Sequence, residues 1–227
     1  MGAEDLFHKR KARAAKALGR PKNTRAPNPR YLIVCEGTKT EPRYFADLLA
    51  DLRIHPQSVL IAPNQGVSPD RVVAHALTIY EEDAQSGDSF DKVYCVFDRD
   101  EHTTFVAAVQ RSRDLHKAKK PFEAITSTPC FEVWLLLHFG YTDQPFQSIG
   151  KKSIGHAVVT ALRAKPGFGA YDKGQSGAYS ALKGSLEIAV DAARQLRIHS
   201  QATGSVNPFT EVDVLVTALR ALGYAKT

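Results

Sequence analysis

The chain has 227 residues, 43% of them hydrophobic and 24% charged, with a formal net charge of +6. That apolar content suffices for one sizeable core and excludes a disordered chain. Its longest apolar run, Val133-Trp134-Leu135-Leu136-Leu137, is far short of a membrane span, and three cysteines without a Cys/His zinc spacing exclude a disulfide scaffold and a zinc finger.

Cys35, Cys95 and Cys130 all lie in apolar segments, which predicts a reducing compartment. The N-terminus is basic with no apolar stretch after it, so no secretory signal is read. A soluble, cytoplasmic protein without a membrane partner is expected. The charge is unevenly spread. Residues 1–30 carry nine Lys/Arg against Glu4 and Asp5, a local +7 that leaves about −1 for the remainder. Such a block is either a solubilising tail or an arm for phosphate-rich partners.

In chain order, residues 6–18 predict a basic helix. Pro21, Pro27 and Pro29 then mark a linker, so residues 1–29 form a basic, flexible N-terminal arm. From Tyr31 strands and helices alternate. A strand at 31–35 precedes a helix over 41–52, with Pro42 in its first turn and Phe45, Leu48, Leu49 and Leu52 at helical spacing. A strand at 58–62 and a helix over 69–83 follow. The strand at 92–97 is apolar through most of its length, as burial on both faces requires. A helix over 103–117, a strand at 122–127 and a short buried helix over 131–139 complete the pattern. This predicts an α/β core at 30–140 built on a parallel four-stranded sheet flanked by helices. Residues 141–176 are rich in Gly, Lys and aromatics and predict no strand. Helices over 177–196 and 208–222, the latter opening at Asn207-Pro208, predict a helical C-terminal extension at 141–227 packed on the core.

Two acidic clusters stand where apolar strands end. Glu36-Gly37 follows Tyr31–Cys35, and Asp98-Arg99-Asp100-Glu101 follows Val93–Phe97. Ligands of parallel α/β sheets bind beyond the carboxyl ends of the strands. One glutamate and an Asp-x-Asp pair converging there make a hard oxygen site suited to Mg²⁺. In extended backbone Asp98 and Asp100 point to the same side and reach one ion together. The plainer alternative is a solvated turn that caps the next helix. Gly37 permits close backbone approach or positive φ, and Thr38-Lys39-Thr40 leads into a helix N-terminus that attracts phosphate. A Walker A loop is absent.

Val34-Cys35-Glu36-Gly37, followed about sixty residues later by Asp98-x-Asp100 across three strands, resembles the Toprim domain of topoisomerases, primases and OLD-type nucleases. More specifically, Val34 to Phe45, Phe97-Asp98-Arg99-Asp100, and Thr128 to Phe139 resemble the RloB family. Tyr171-x-Lys173 and Asn207-Pro208 extend the likeness, which runs from residue 30 to about 220. The resemblance implies a Toprim-like fold, with Glu36 as general acid/base and Asp98 and Asp100 holding Mg²⁺, Mn²⁺ being an admissible substitute. It also implies an antiphage effector, often encoded beside an ATPase of the RloA type. No tyrosine is singled out as an attacking group, so hydrolysis by water is expected over strand passage.

Glu132 falls in an otherwise apolar run, where a buried carboxylate needs a partner. It is either a ligand for a second metal, beside Glu36, Asp98 and Asp100, or a structural acid paired with Arg99 or His102. His138 reads as a packed histidine. Lys39, Arg43, Arg99 and Lys173 are candidates for phosphate contact, and Phe168 and Tyr171 stack on bases or pack. The leading expectation is a Mg²⁺-dependent nuclease cutting DNA or RNA, with tRNA among the RNA candidates. The alternative is a sensor subunit that binds nucleotide or nucleic acid without chemistry. A phosphatase of the haloacid-dehalogenase pattern needs Thr where His102 stands and has no use for Glu36. A homo-oligomer remains open.

Overall fold

The structure is a computed structural model that describes residues 29–62, 68–87, 89–99, 103–148 and 150–224. The basic arm, its expected helix over 6–18, and Asp100, Glu101 and His102 lie outside the described residues.

Four parallel strands and one short antiparallel strand form a single sheet. They are β1 (Tyr31–Cys35), β2 (Val59–Ala62), β3 (Lys92–Asp98), β4 (Phe122–Thr128) and β5 (Phe209–Thr210), in the spatial order β2-β1-β3-β4-β5. The crossovers carry α1 (Thr40–Asp51), α2 (Pro69–Gln85) and α3 (Phe105–Lys117). Beyond β4 come α4 (Glu132–Leu137), α5 (Ile154–Arg163), α6 (Ala178–Leu182), α7 (Leu186–Thr203) and α8 (Val212–Tyr224).

Strand alternation divides the core in two. Ile33, Cys35, Tyr94 and Val96 face α1 and the α4, α5, α7 and α8 layer. Leu32, Val34, Val93, Cys95 and Phe97 face α2 and α3. Helices therefore cover both faces, and β1 and β3 are apolar on both sides because neither side meets water. Within α4 every residue is buried, Trp134 completely.

The sheet has five strands where four were expected. β5 pairs antiparallel with β4, Ser127 opposite Thr210 and Thr128 opposite Phe209, so the C-terminal segment completes the sheet as well as packing on it. Two residues are too few to show a period of two. The helix expected from Pro208 starts at Val212 instead, because Phe209 and Thr210 are spent on this pairing. The helix expected over 177–196 is α6 and α7, separated by a 3-10 turn at Lys183–Ser185. A helix unforeseen in the glycine-rich stretch, α5, is capped by Ser153 Oγ, which accepts from the His156 N–H at 3.4 Å.

Candidate active-site cleft

Neighbouring strands β1 and β3 pair in register, Cys35 opposite Val96. The Glu36 N–H continues the ladder by donating to the Val96 carbonyl at 2.8 Å. Glu36 Oε2 in turn accepts from the backbone N–H of Asp98 at 3.0 Å. The two acids expected at adjacent strand ends are thus held side by side by the sheet itself.

They open into a cleft of about 280 Å³ at the carboxyl edge of the sheet. One wall is the Gly37–Thr40 loop with the first turn of α1, and the other is Phe131 and Glu132 at the start of α4. Lys173 and Gly174 close it. A residue passed over in the sequence also faces it. Glu41, only 6% exposed, lines the cleft, and its Oε1 accepts from the Gly37 N–H at 3.2 Å. A Cβ on Gly37 would stand 2.1 Å from Glu41 Oε2, so glycine serves close approach at this point.

Glu132 is 2% exposed and finds its partners within the C-terminal segment. Tyr171 donates its hydroxyl to Oε1 at 3.3 Å, and Lys173 Nζ lies 3.2 Å from Oε2. Of the partners expected, Arg99 lies outside the cleft with its guanidinium over the Phe105 ring, 5.8 Å from the centroid. His102 is outside the described residues. Lys173 reaches Glu132 because the 171–175 loop is clamped onto α1. Gly174 donates its N–H to Thr40 Oγ1 at 2.8 Å, and its carbonyl accepts from the Arg43 guanidinium. The turn holds Gly174 at φ +81°, and a Cβ there would meet the Lys39 side chain at 2.8 Å.

Arg43 therefore anchors the loop that carries Lys173. Lys39 is exposed at the mouth of the cleft. Phe168 and Tyr171 are 6% and 3% exposed, and their rings pack together with centroids 5.8 Å apart, so they are core residues and present no stacking face. His138 is buried against Trp134, with Nδ1 3.0 Å from the Trp134 carbonyl, and burial lowers its pKa to about 4.

Crowding of acids dominates the electrostatics. Burial pushes Asp98 well above the usual carboxylate range, and the charges of Glu41 and Glu132 push it further. Burial also raises Glu41, with Glu132 adding to the effect. For Lys173 desolvation works against the charge, but the neighbouring acids, Glu132 first and then Asp98, outweigh it, and its pKa is raised. Like charges this close are held only if protons or cations offset them.

The family model of RloB-like proteins matches residues 31–219. This chain belongs to the RloB-like family. No curated protein and no solved structure matches it. The match begins on the first residue of β1 and spans every acid of the cleft together with Lys173.

Glu36, Glu41, Asp98 and Glu132 give this RloB-like chain an all-oxygen donor set, which is the chemistry of Mg²⁺ or Mn²⁺ rather than of a soft metal. Among the described residues no three His, Cys, Asp or Glu side chains stand in metal-holding geometry. Asp100, one step past Arg99, lies outside that set. Lys173 meanwhile occupies the cationic place beside Glu132. Among the described residues, no helix is long and apolar enough to cross a membrane.

Proposed function

We propose that this RloB-like protein is a Toprim-type, Mg²⁺-dependent nuclease that hydrolyses phosphodiester bonds in DNA or RNA, tRNA included. The observation that carries this reading is the juxtaposition of Glu36 and Asp98 at the carboxyl ends of adjacent parallel strands. Glu41, Glu132 and Lys173 share the same small cleft.

Glu36, Asp98 and Asp100 are the residues assigned to the metal, with Glu132 the candidate ligand of a second ion. A bound Mg²⁺ supplies Lewis-acid stabilisation of phosphoryl charge and makes hydroxide accessible near neutral pH. The protein's own groups do the rest. Glu36, oriented by the Asp98 amide, would take a proton from the attacking water as the new P–O bond forms, and would return it to the leaving sugar oxygen as the old P–O bond breaks. Lys173 keeps its proton and faces the non-bridging oxygens as a fixed cation, while Lys39 draws the phosphate backbone to the mouth. Arg43 and Thr40 hold the Lys173 loop in place. The setting implied by the RloB resemblance is antiphage defence, beside an ATPase of the RloA type, and the three buried free cysteines suit a reducing, cytoplasmic compartment.

One observation favours a second reading. Both oxygens of Glu132 are engaged by Tyr171 and Lys173, so the cleft is partly neutralised without any metal. This suits a nucleotide- or nucleic-acid-binding sensor subunit that performs no chemistry alone. The two readings separate when purified protein is incubated with supercoiled plasmid and bulk tRNA in Mg²⁺, Mn²⁺ or EDTA. Metal-dependent cutting that disappears in Asp98→Ala supports the nuclease. Metal binding without cutting of either polymer supports the sensor.

A further inference from the structure

Away from the acid cleft, a larger groove of about 740 Å³ lies between α3, β4 and β5. We propose that it binds a single strand of nucleic acid. That the strand continues into the cleft rests on the phosphodiester reading above; the binding itself does not.

The groove exists because the helical cover is incomplete. α3 packs on β4 from one side, but β5 extends the sheet past it, leaving Ala124, Thr126 and Thr128 of β4 as a floor. That floor follows β4 over its seven residues, about 20 Å. A groove of this volume has room for splayed bases.

Its chemistry is that of a strand-binding track. Lys92, Arg99, Arg113 and Lys117 line it against two acids, Glu123 and Glu211. Glu211 is already committed inside the fold, accepting from the Thr126 N–H at 3.0 Å and its hydroxyl at 2.6 Å. Arg113 has no carboxylate partner among the described residues. Lys92 opens β3 and Arg99 follows its last residue, so the cations are spaced along the strand direction. Between them stand two half-buried rings: Phe209, offered to bases, and Phe105, already packed edge-on against Phe97 with the Arg99 guanidinium over it. Arg99 also joins the two sites. It directly follows Asp98 of the cleft, and its N–H donates to the Ser127 carbonyl at 2.8 Å. The chain's own arm, with nine Lys/Arg in residues 1–30, is repelled by such a groove. Lys117 also lies 3.6 Å from Asp114 on its own helix, but an apolar peptide would leave Lys92, Arg99 and Arg113 without an anionic partner from the ligand.

The test uses the full chain in EDTA, so that binding is read without turnover. Fluorescein-labelled single-stranded RNA and DNA of one sequence, and the matching duplex, are titrated by anisotropy against wild type, Arg113→Glu/Lys117→Glu, and a charge-matched control, Arg71→Glu/Arg194→Glu. The groove variant is expected to bind either single strand about tenfold more weakly than the control. Its salt slope should fall by about 1.4, since each single-strand phosphate contact contributes about 0.7. Oligonucleotides bearing 5-iodouracil are expected to cross-link to Phe209. Affinity equal to that of the control, duplex bound as tightly with the same sensitivity, or cross-links confined to residues 1–28 would overturn the proposal. Intact single-strand binding with no cutting by wild type in Mg²⁺ would support the groove and count against the nuclease alone.

Discussion

Lys173 Nζ lies 3.2 Å from Glu132 Oε2, joining a glycine-rich loop of the C-terminal segment to the first turn of α4. The contact turns a buried carboxylate, costly on its own, into half of an ion pair at the wall of an acidic cleft. It also sets the character of the site: with Lys39 out at the mouth, four carboxylates face one paired cation, the half-exposed Lys173.

Removing that cation leaves Glu132 uncompensated. Lys173→Met is expected to lower stability by about 1–2 kcal/mol, less than for a fully buried pair because the lysine side chain is half exposed. Glu132→Gln in the same background should restore most of the loss. A double-mutant cycle in urea measures the coupling, and additive effects would show that the contact contributes nothing.

Gly37 and Glu41 are linked by space. Gly37→Ala places a methyl on the Glu41 carboxylate, which must swing away. The expected outcome is a loss of about 1–3 kcal/mol together with divalent-ion affinity reduced about tenfold or more. Thermal melts with and without Mg²⁺ read both effects.

Burial keeps Asp98 protonated in the metal-free native state at pH values where the unfolded chain has released that proton. Metal-free stability should therefore fall as pH rises from the ordinary Asp value of 3.8 toward the raised native one. Asp98→Asn removes this dependence. It should raise Tm in EDTA at pH 8 by about 2–4 °C for each kcal/mol recovered, while abolishing any gain from Mg²⁺.

His138 acts in the opposite direction. It holds a native pKa of about 4 against an ordinary value of 6.5. Below 6.5 the unfolded chain takes up a proton that the native state refuses, so stability is lost as pH falls from 6.5 to about 4. The total is about 3 kcal/mol. Urea unfolding across this range should show the slope, and His138→Gln should flatten it.

The strands and the placement of Glu36 and Asp98 were legible because β1 and β3 are apolar through most of their length and end abruptly in acids. Asp100 and the basic arm lie outside the described residues, so the Asp-x-Asp pair is seen only through its first member. Glu41 was passed over because an acid in a helix's first turn is ordinary, and nothing local shows that Gly37 lets its carboxylate fold back. Lys173 was singled out, but its partner lies 41 positions away, a relation set by Gly174 and Arg43 rather than by any spacing. α5 was missed although Val158, Val159 and Leu162 fit helical spacing, because surrounding Gly and Lys dilute the pattern. Arg99, read with the cleft from its position beside Asp98, turns instead to the neighbouring groove.

Mn²⁺ titration followed by electron paramagnetic resonance reads out whether the Glu36–Asp98 cleft holds a divalent cation. Wild type is compared with Glu36→Gln and Asp98→Asn. Stoichiometric Mn²⁺ bound by the wild type, displaced by Mg²⁺ and weakened at least about 100-fold in both variants, is the predicted result. Wild type that leaves Mn²⁺ free in solution, or variants that bind it as the wild type does, would mean that Glu36 and Asp98 hold no divalent cation.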